Sequence, residues 1–273
     1  MPEGSAQRPV ADTMPDSTVI VPFTRGDAAW NRVLRAVDGQ GSMPAELEAL
    51  YGPLLQSARS VPFVIAQLGQ SLDGRIATEN GDSKYINGEP GLLHLHRLRA
   101  LCDCVIVGIG TALADDPMLN VRLCAGPNPA RVVIDSRGRL PIGAKILRED
   151  GARRVIVTAT ETSVSVSKDV EIIRLPRGAD GRIAPSAIVE ALGERGFKRL
   201  LLEGGSQTIS GFLAARALDR LHMLVAPMIV GSGQNGLALP PITQIGDALR
   251  PPTRPHIVGD EVIFDCDLSS MKG

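Results

Sequence analysis

From residue 61 onward, short apolar runs alternate with segments in which apolar residues recur every three or four positions. Val61 to Leu68, Cys104 to Val107, Arg131 to Ile134, Arg154 to Val157, Glu171 to Leu175 and Arg199 to Leu202 are rich in Val, Ile and Leu. Each is too short for a helix and predicts a strand. Pro90 to Ala100, Pro185 to Leu192 and Ser206 to Ala215 predict helices, the last capped by the Ser206 hydroxyl. Strands with nearly continuous apolar interiors, alternating with helices, predict a mostly parallel sheet with helices on both faces. His222 to Ala226, the region of Ile257, and Val262 to Phe264 follow with little helix between them, which predicts an antiparallel C-terminal edge.

Upstream the pattern is weaker. The first 25 or so residues are rich in Pro, Ser, Thr and Asp without sustained period, the composition of a tail. Asp27 then caps a helix whose face is Trp30, Val33, Leu34 and Val37, stopped by Gly39. A second helical piece carries Leu47, Leu50, Tyr51, Leu54 and Leu55, with Gly52-Pro53 interrupting it. Residues 1–59 therefore form an N-terminal extension and residues 60–273 the main domain. The segment from Asp73-Gly74 through Gly81-Asp82 is turn-rich.

Composition narrows the classes. Hydrophobic residues at 44% of 273 supply a sizeable core, and a net charge of −1 gives no basic field for a nucleic acid. No stretch reaches the roughly 20 apolar residues of a membrane span, and the N-terminus lacks a signal-peptide pattern, so a cytoplasmic location is expected. The four cysteines form no CxxC pair, and Cys102 and Cys104 read as buried thiols. His94 and His96, two apart on a helix, point to nearly opposite sides and cannot share a metal. With His222 and His256 in strands, all four histidines read as structural, and no metal site is indicated.

Val105-Ile106-Val107-Gly108-Ile109-Gly110 imitates the strand and Gly-x-Gly turn of a dinucleotide-binding unit, and Asp135 ends a later apolar run. The imitation fails because the third glycine position is Leu113 and Pro117 ends any helix after barely two turns. Glycines at this joint still let backbone amides approach an anion. Gly204-Gly205-Ser206 is a second such joint, set between an apolar strand and a helix, where free amides and the helix dipole form an anion site.

Four segments in order are more specific than either joint. They are Gly69-Gln70-Ser71-Leu72-Asp73-Gly74-Arg75-Ile76-Ala77 with Gly81 to Ile86; His96-Arg97-Leu98-Arg99-Ala100; Gly110-Thr111-Ala112-Leu113-Ala114-Asp115-Asp116-Pro117 with Leu119 to Arg122; and Leu201 to Ser206, with Ala226-Pro227 and Gly231-Ser232-Gly233 downstream. Together, over roughly residues 61 to 265, they resemble the reductase domain of the bacterial riboflavin-pathway deaminase/reductase. That family has a dihydrofolate-reductase-like α/β fold. The resemblance implies NADPH-dependent reduction of 5-amino-6-(5-phosphoribosylamino)uracil to its ribitylamino counterpart, with hydride going to the ribose C1′.

The resemblance also assigns residues. Gly69, Tyr85, Thr111, Asp115 and Ser136 match cofactor contacts, and the stretch from Gly205 to Gly211 matches the one that wraps the cofactor phosphates, with Gly204 just before it and Gly205, Ser206, Gln207 and Thr208 at its start. Tyr85 stands where the family commonly has tryptophan, which changes the stacking surface beside a nicotinamide. Ser83, Arg99, Leu119, Arg122 and Glu203 match substrate contacts; the arginine fork suits the substrate phosphate. Arg137 and Arg139, just after Ser136, are placed to meet a 2′-phosphate. Asp115 is the first candidate for acid–base work and Glu203 the second; Asp115 or Asp116 as a plain cap is the structural alternative.

The His-x-Glu and Pro-Cys-x-x-Cys signature of the zinc deaminase is missing from this sequence, so that step is expected of a separate deaminase. The partners expected are a phosphorylated pyrimidine and a second copy in a homodimer, with no nucleic acid and no membrane. Two readings compete: a related reductase acting on dihydrofolate or another pterin or pyrimidine, and a non-catalytic nucleotide binder of the same fold.

Overall fold

Each apolar run pairs with its neighbours as its burial on both sides requires. The computed structural model describes residues 19–20, 28–55, 61–84 and 86–272. In chain order the elements are β1 (Val19–Ile20), α1 (Ala28–Val37), α2 (Ala45–Leu55), β2 (Phe63–Ser71), β3 (Arg75–Thr78), α3 (Glu89–Leu101), β4 (Cys104–Gly108), α4 (Ile109–Asp115), β5 (Ala130–Ile134), β6 (Arg154–Ala159) and β7 (Glu171–Leu175). There follow α5 (Pro185–Glu194), β8 (Arg199–Glu203), α6 (Ser206–Ala214), β9 (Arg220–Ala226), β10 (Gly233–Asn235), β11 (Thr253–Val258) and β12 (Glu261–Asp267).

Among the described residues the main sheet has the order β1-β11-β12-β9-β2-β8-β4-β5-β6-β7. From β9 to β7 every pairing is parallel. β12 runs antiparallel to both β9 and β11, the antiparallel edge expected from the C-terminal pattern. One apolar cluster lies on each face. The first joins Val105, Val107, Val133 and Leu201 to α1, α2 and α3; the second joins Ile106, Val132, Leu200 and Leu202 to α5 and α6. The parallel interior and the helices on both faces are therefore as the pattern predicted.

Three local expectations change. α2 is continuous through Pro53, because only two helical residues follow it and Leu47, Leu50, Tyr51 and Leu54 are all fully buried. The turn-rich segment contains a strand: β3 pairs antiparallel with β10, a four-residue strand too short to stand out among turns. Ser206 is the first helical residue and not the cap; Gly205 holds the N-cap position at φ +54 with no side-chain bond. Asp27 and the first 18 residues lie outside the described residues.

The N-terminal helices are tied to the sheet by specific contacts. Trp30 meets Tyr51 edge-on at 5.8 Å and donates from Nε1 to the Ala125 carbonyl at 2.8 Å. The Tyr51 hydroxyl bonds His94 Nδ1 at 2.9 Å, and His94 Nε2 lies 3.1 Å from His222 Nδ1. His222 Nε2 is 3.2 Å from Asp265, which also takes both forks of Arg220 at 2.7 Å. His256 is 3.9 Å from the same carboxylate. Burial holds His94 well below the ordinary histidine range and His256 at about 4, so both rest neutral. Among the described residues, no group of His, Cys, Asp or Glu is arranged to hold a metal, and Cys102 and Cys104 are buried free thiols.

Candidate active site

The sheet order places the site. Chain connections leave β4 toward β5, β6 and β7, then return through α5 to β8, the strand adjoining β4, and leave β8 toward β9 on the other side. β4 and β8 thus flank a topological switch point, and the carboxyl ends of parallel strands at such a point open a crevice for a ligand. Four adjacent strand ends meet there: Gly69 on β2, Glu203 on β8, Gly108 on β4, and Asp135 just after β5.

On one side two glycine joints interlock with two threonines. Gly204 and Gly205 adopt φ +67 and +54, a left-handed backbone that favours glycine. A Cβ on either would stand 2.8 Å from the Thr111 side chain, and a Cβ on Gly108 would stand 2.2 Å from Thr208 Oγ1. The start of α4 and the start of α6 are therefore in contact through Thr111 and Thr208, with first-turn amides of both helices beside the joint. This is a cradle of amides and hydroxyls, the donor set a dinucleotide pyrophosphate needs. Asp115 stands four residues after Thr111, on the same face of α4, where partial desolvation raises its carboxyl above the ordinary range. Beyond β5, buried Asp135 accepts from the amides of Arg137 and Leu140 and fixes the Ser136 loop, which carries the exposed Arg137 and Arg139. The Ser136 carbonyl in turn accepts from Thr162.

On the other side the charged groups converge. Arg99 is buried and bidentate with Glu203, Nε to Oε1 at 2.7 Å and Nη2 to Oε2 at 2.6 Å. Its Nη1 donates to the Asn120 carbonyl at 3.0 Å. Arg122 is exposed, touches Asn120 Oδ1 at 3.3 Å, and donates its backbone amide to His96 Nδ1 at 3.1 Å. Partial desolvation and the nearby Arg99 charge both weigh against the Arg122 cation, while Glu203 favours it. Two guanidiniums against one carboxylate leave about one positive charge here to attract an anion. Leu119 is buried at φ +51 at the head of this segment.

The structure brings together Thr111, Gly204, Gly205 and Thr208 on one side, and Arg99, Glu203, Leu119 and Arg122 on the other. Ser206 is half-buried and Gln207 exposed at the head of α6. Ser83 is exposed in the loop before α3. Tyr85 lies outside the described residues. Gly69 has a packing reason of its own: a Cβ there would fall 1.7 Å from Asn87 Oδ1.

Sequence reasoning missed the supports. Buried Glu261, from β12, accepts from Asn87 Nδ2 and from the amides of Gly88 and Gly91, and so caps α3 from across the sheet. Asp73 accepts from the Ser71 hydroxyl and from the Val230 and Gly231 amides, which holds its carboxyl down to about 2 and ties the β2 turn to the loop after β9. The Asp73-Gly74 turn was the visible signal for the second; nothing local marked the first.

With this geometry in view, the comparisons with known proteins are specific. Residues 62–245 match the RibD C-terminal domain. The chain belongs to that family. A relative in Methanothermobacter thermautotrophicus, the 2,5-diamino-6-ribosylamino-4(3H)-pyrimidinone 5′-phosphate reductase, is 35% identical over 75% of this chain and 97% of its own length. The riboflavin biosynthesis protein RibD of Mycobacterium tuberculosis is 33% identical over 70% of this chain, which spans 49% of that longer protein. Among solved structures, the Thermotoga maritima deaminase/reductase aligns with TM-score 0.68 and 26% identity, over 84% of this chain and 64% of that one. Relatives of this RibD-domain chain are thus reductases of riboflavin biosynthesis. No described helix is long and apolar enough to cross a membrane.

Proposed function

We propose that this RibD-domain protein is an NADPH-dependent reductase of 5-amino-6-(5-phosphoribosylamino)uracil. The observation that carries the reading is the pairing, across one switch point, of an anion cradle with a cluster of two arginines and a glutamate. The donor set fits a dinucleotide: Gly204 and Gly205 hold a left-handed turn that side chains disfavour, and Thr111 closes directly against them, so hydroxyls and backbone amides gather where α4 and α6 begin. Residues Gly204 to Thr208, with Thr111, would hold the pyrophosphate, Ser136 with Arg137 and Arg139 would meet the 2′-phosphate, and Gly69 would be a further cofactor contact. Bound NADPH supplies a hydride, here to C1′ of the ring-opened sugar.

The protein's own residues bind, orient and protonate. Arg122 meets the substrate phosphate, since its guanidinium is exposed while that of Arg99 is committed to Glu203 and Asn120. Ser83 and Leu119 are the further substrate contacts that the family resemblance assigns. Glu203 acts through Arg99, fixing its fork and balancing its charge, and is a poor proton donor because both its oxygens are engaged. Asp115, an exposed carboxyl four residues past Thr111 on α4 whose pKa partial desolvation raises, is the candidate proton donor to the nitrogen or oxygen beside C1′. Positioning of C1′ supplies most of the rate.

A second reading concerns the pyrimidine. The two archaeal relatives named for the 2,5-diamino pyrimidinone phosphate are 35% and 34% identical and align over 97% and 82% of their length. They favour that compound as the alternative substrate. Both readings place the phosphate on Arg122. Arg122→Ala is expected to raise KM about 10-fold or more, as loss of a charge-assisted bond does, with NADPH affinity unchanged. Equal weakening of both ligands would remove the assignment.

A further inference from the structure

We infer that His96 is a positioning residue that holds Arg122 in its substrate-binding place, an inference that rests on the reading of Arg122 as the phosphate contact. The segment from Leu119 to Arg122 belongs to no helix or strand and begins with a left-handed Leu119, a conformation leucine seldom adopts. Such a segment keeps one shape only if neighbouring groups hold it. Three do. Arg99 Nη1 donates to the Asn120 carbonyl at 3.0 Å, Asn128 Oδ1 accepts from the Val121 amide at 2.7 Å, and His96 Nδ1 accepts from the Arg122 amide at 3.1 Å.

His96 and Arg99 stand three residues apart on α3, hence on one face, and each grips a different peptide group of the same segment. That helix is itself pinned at its start by Glu261. His96 is 1% exposed, so it offers a fixed acceptor instead of a mobile one. Accepting at Nδ1 requires that nitrogen to be unprotonated, with the ring proton on Nε2. His96 thus fixes the backbone from which the Arg122 side chain reaches the pocket, without itself meeting the reacting atoms. Its loss leaves Arg122 present but no longer preorganised, and the cost falls on substrate capture.

The test is steady-state kinetics on the full chain with 5-amino-6-(5-phosphoribosylamino)uracil and its dephosphorylated counterpart. His96→Leu is expected to raise KM for the phosphorylated substrate about tenfold, the cost of one lost buried acceptor, with kcat within about twofold. KM for the dephosphorylated compound and the NADPH dissociation constant stay unchanged. His96→Asn, whose Oδ1 can reoccupy the Nδ1 position, restores KM to within about threefold. In an Arg122→Ala background His96→Leu adds less than about twofold, because the two act as one unit. His96→Ala replaces the leucine variant if that protein does not fold.

An unchanged KM in His96→Leu, beside a raised KM in Arg122→Ala, overturns the His96 role and leaves the phosphate reading standing. Equal loss with both substrates, or no rescue by asparagine, also overturns it, since those results mark general damage to the core. An unchanged KM in Arg122→Ala removes the phosphate reading and this inference with it.

Discussion

Replacing Arg99 with methionine while leaving Glu203 in place isolates a carboxylate in a nearly dry site. The two side chains are 8% and 6% exposed, and both Glu203 oxygens are taken by the guanidinium. Breaking a buried ion pair from one side costs about 3–5 kcal/mol, because the remaining charge keeps its desolvation penalty and loses its partner. Against a total stability of about 5–15 kcal/mol that is a large fraction. At about 2–4 °C per kcal/mol the melting midpoint falls by roughly 6–20 °C. Removing both, in Arg99→Met with Glu203→Leu, abolishes the isolated charge and leaves only the Asn120 carbonyl without its donor, a loss of about 1 kcal/mol. The double variant is therefore expected to be more stable than either single one. Urea unfolding of the four proteins, followed by circular dichroism, reads all three differences. A single variant within about 1 kcal/mol of the parent, or a double variant less stable than both singles, would refute the reasoning.

Two further predictions concern the cradle and the histidines. Gly204→Ala places a Cβ 2.8 Å from Thr111 at φ +67, so the NADPH dissociation constant measured by fluorescence titration should rise by about tenfold or more, with about 1–2 kcal/mol of stability lost; unaltered binding would separate the cradle from the cofactor. Burial depresses His94 and His256, so the unfolded chain takes up protons first: stability is full above the ordinary value of 6.5 and falls as pH drops toward about 4, by up to about 1.4 kcal/mol per pH unit for each group. His256→Phe should flatten that fall in urea unfolding from pH 7 to 4, and an equally steep fall in the variant would contradict the assignment.

Much of the architecture could be read from the chain because burial on both sides leaves an unmistakable mark. Cys104 to Gly108 and Arg199 to Glu203 are nearly uninterrupted apolar runs, and each proved to be a central parallel strand. The C-terminal strands were legible for the same reason. β3 was not, since Arg75-Ile76-Ala77-Thr78 is held by pairing to Gly233–Asn235, more than 150 residues away in the chain, and by Arg75 donating to the Gly231 carbonyl. The glycine joints were legible as strand-to-helix turns, because each follows an apolar run and opens a helical one. Which arginine is free was not legible: Arg99 and Arg122 carry the same chemistry, and only the fold sets Glu203 against one of them. Spacing on α3 set His94 and His96 on different sides of the helix, as their separate partners show. It gave no hint that His94 meets His222 or that His96 supports the Arg122 backbone, contacts that close 128 and 26 residues of chain.

The central claim is tested most directly by following NADPH oxidation at 340 nm with purified protein. 5-Amino-6-(5-phosphoribosylamino)uracil, the 2,5-diamino pyrimidinone phosphate and dihydrofolate are offered in parallel. Turnover of a phosphorylated pyrimidine, with dihydrofolate untouched, is the predicted result, and the faster of the two pyrimidines identifies the substrate. Turnover of dihydrofolate alone, or NADPH binding without oxidation by any of the three, would contradict the account.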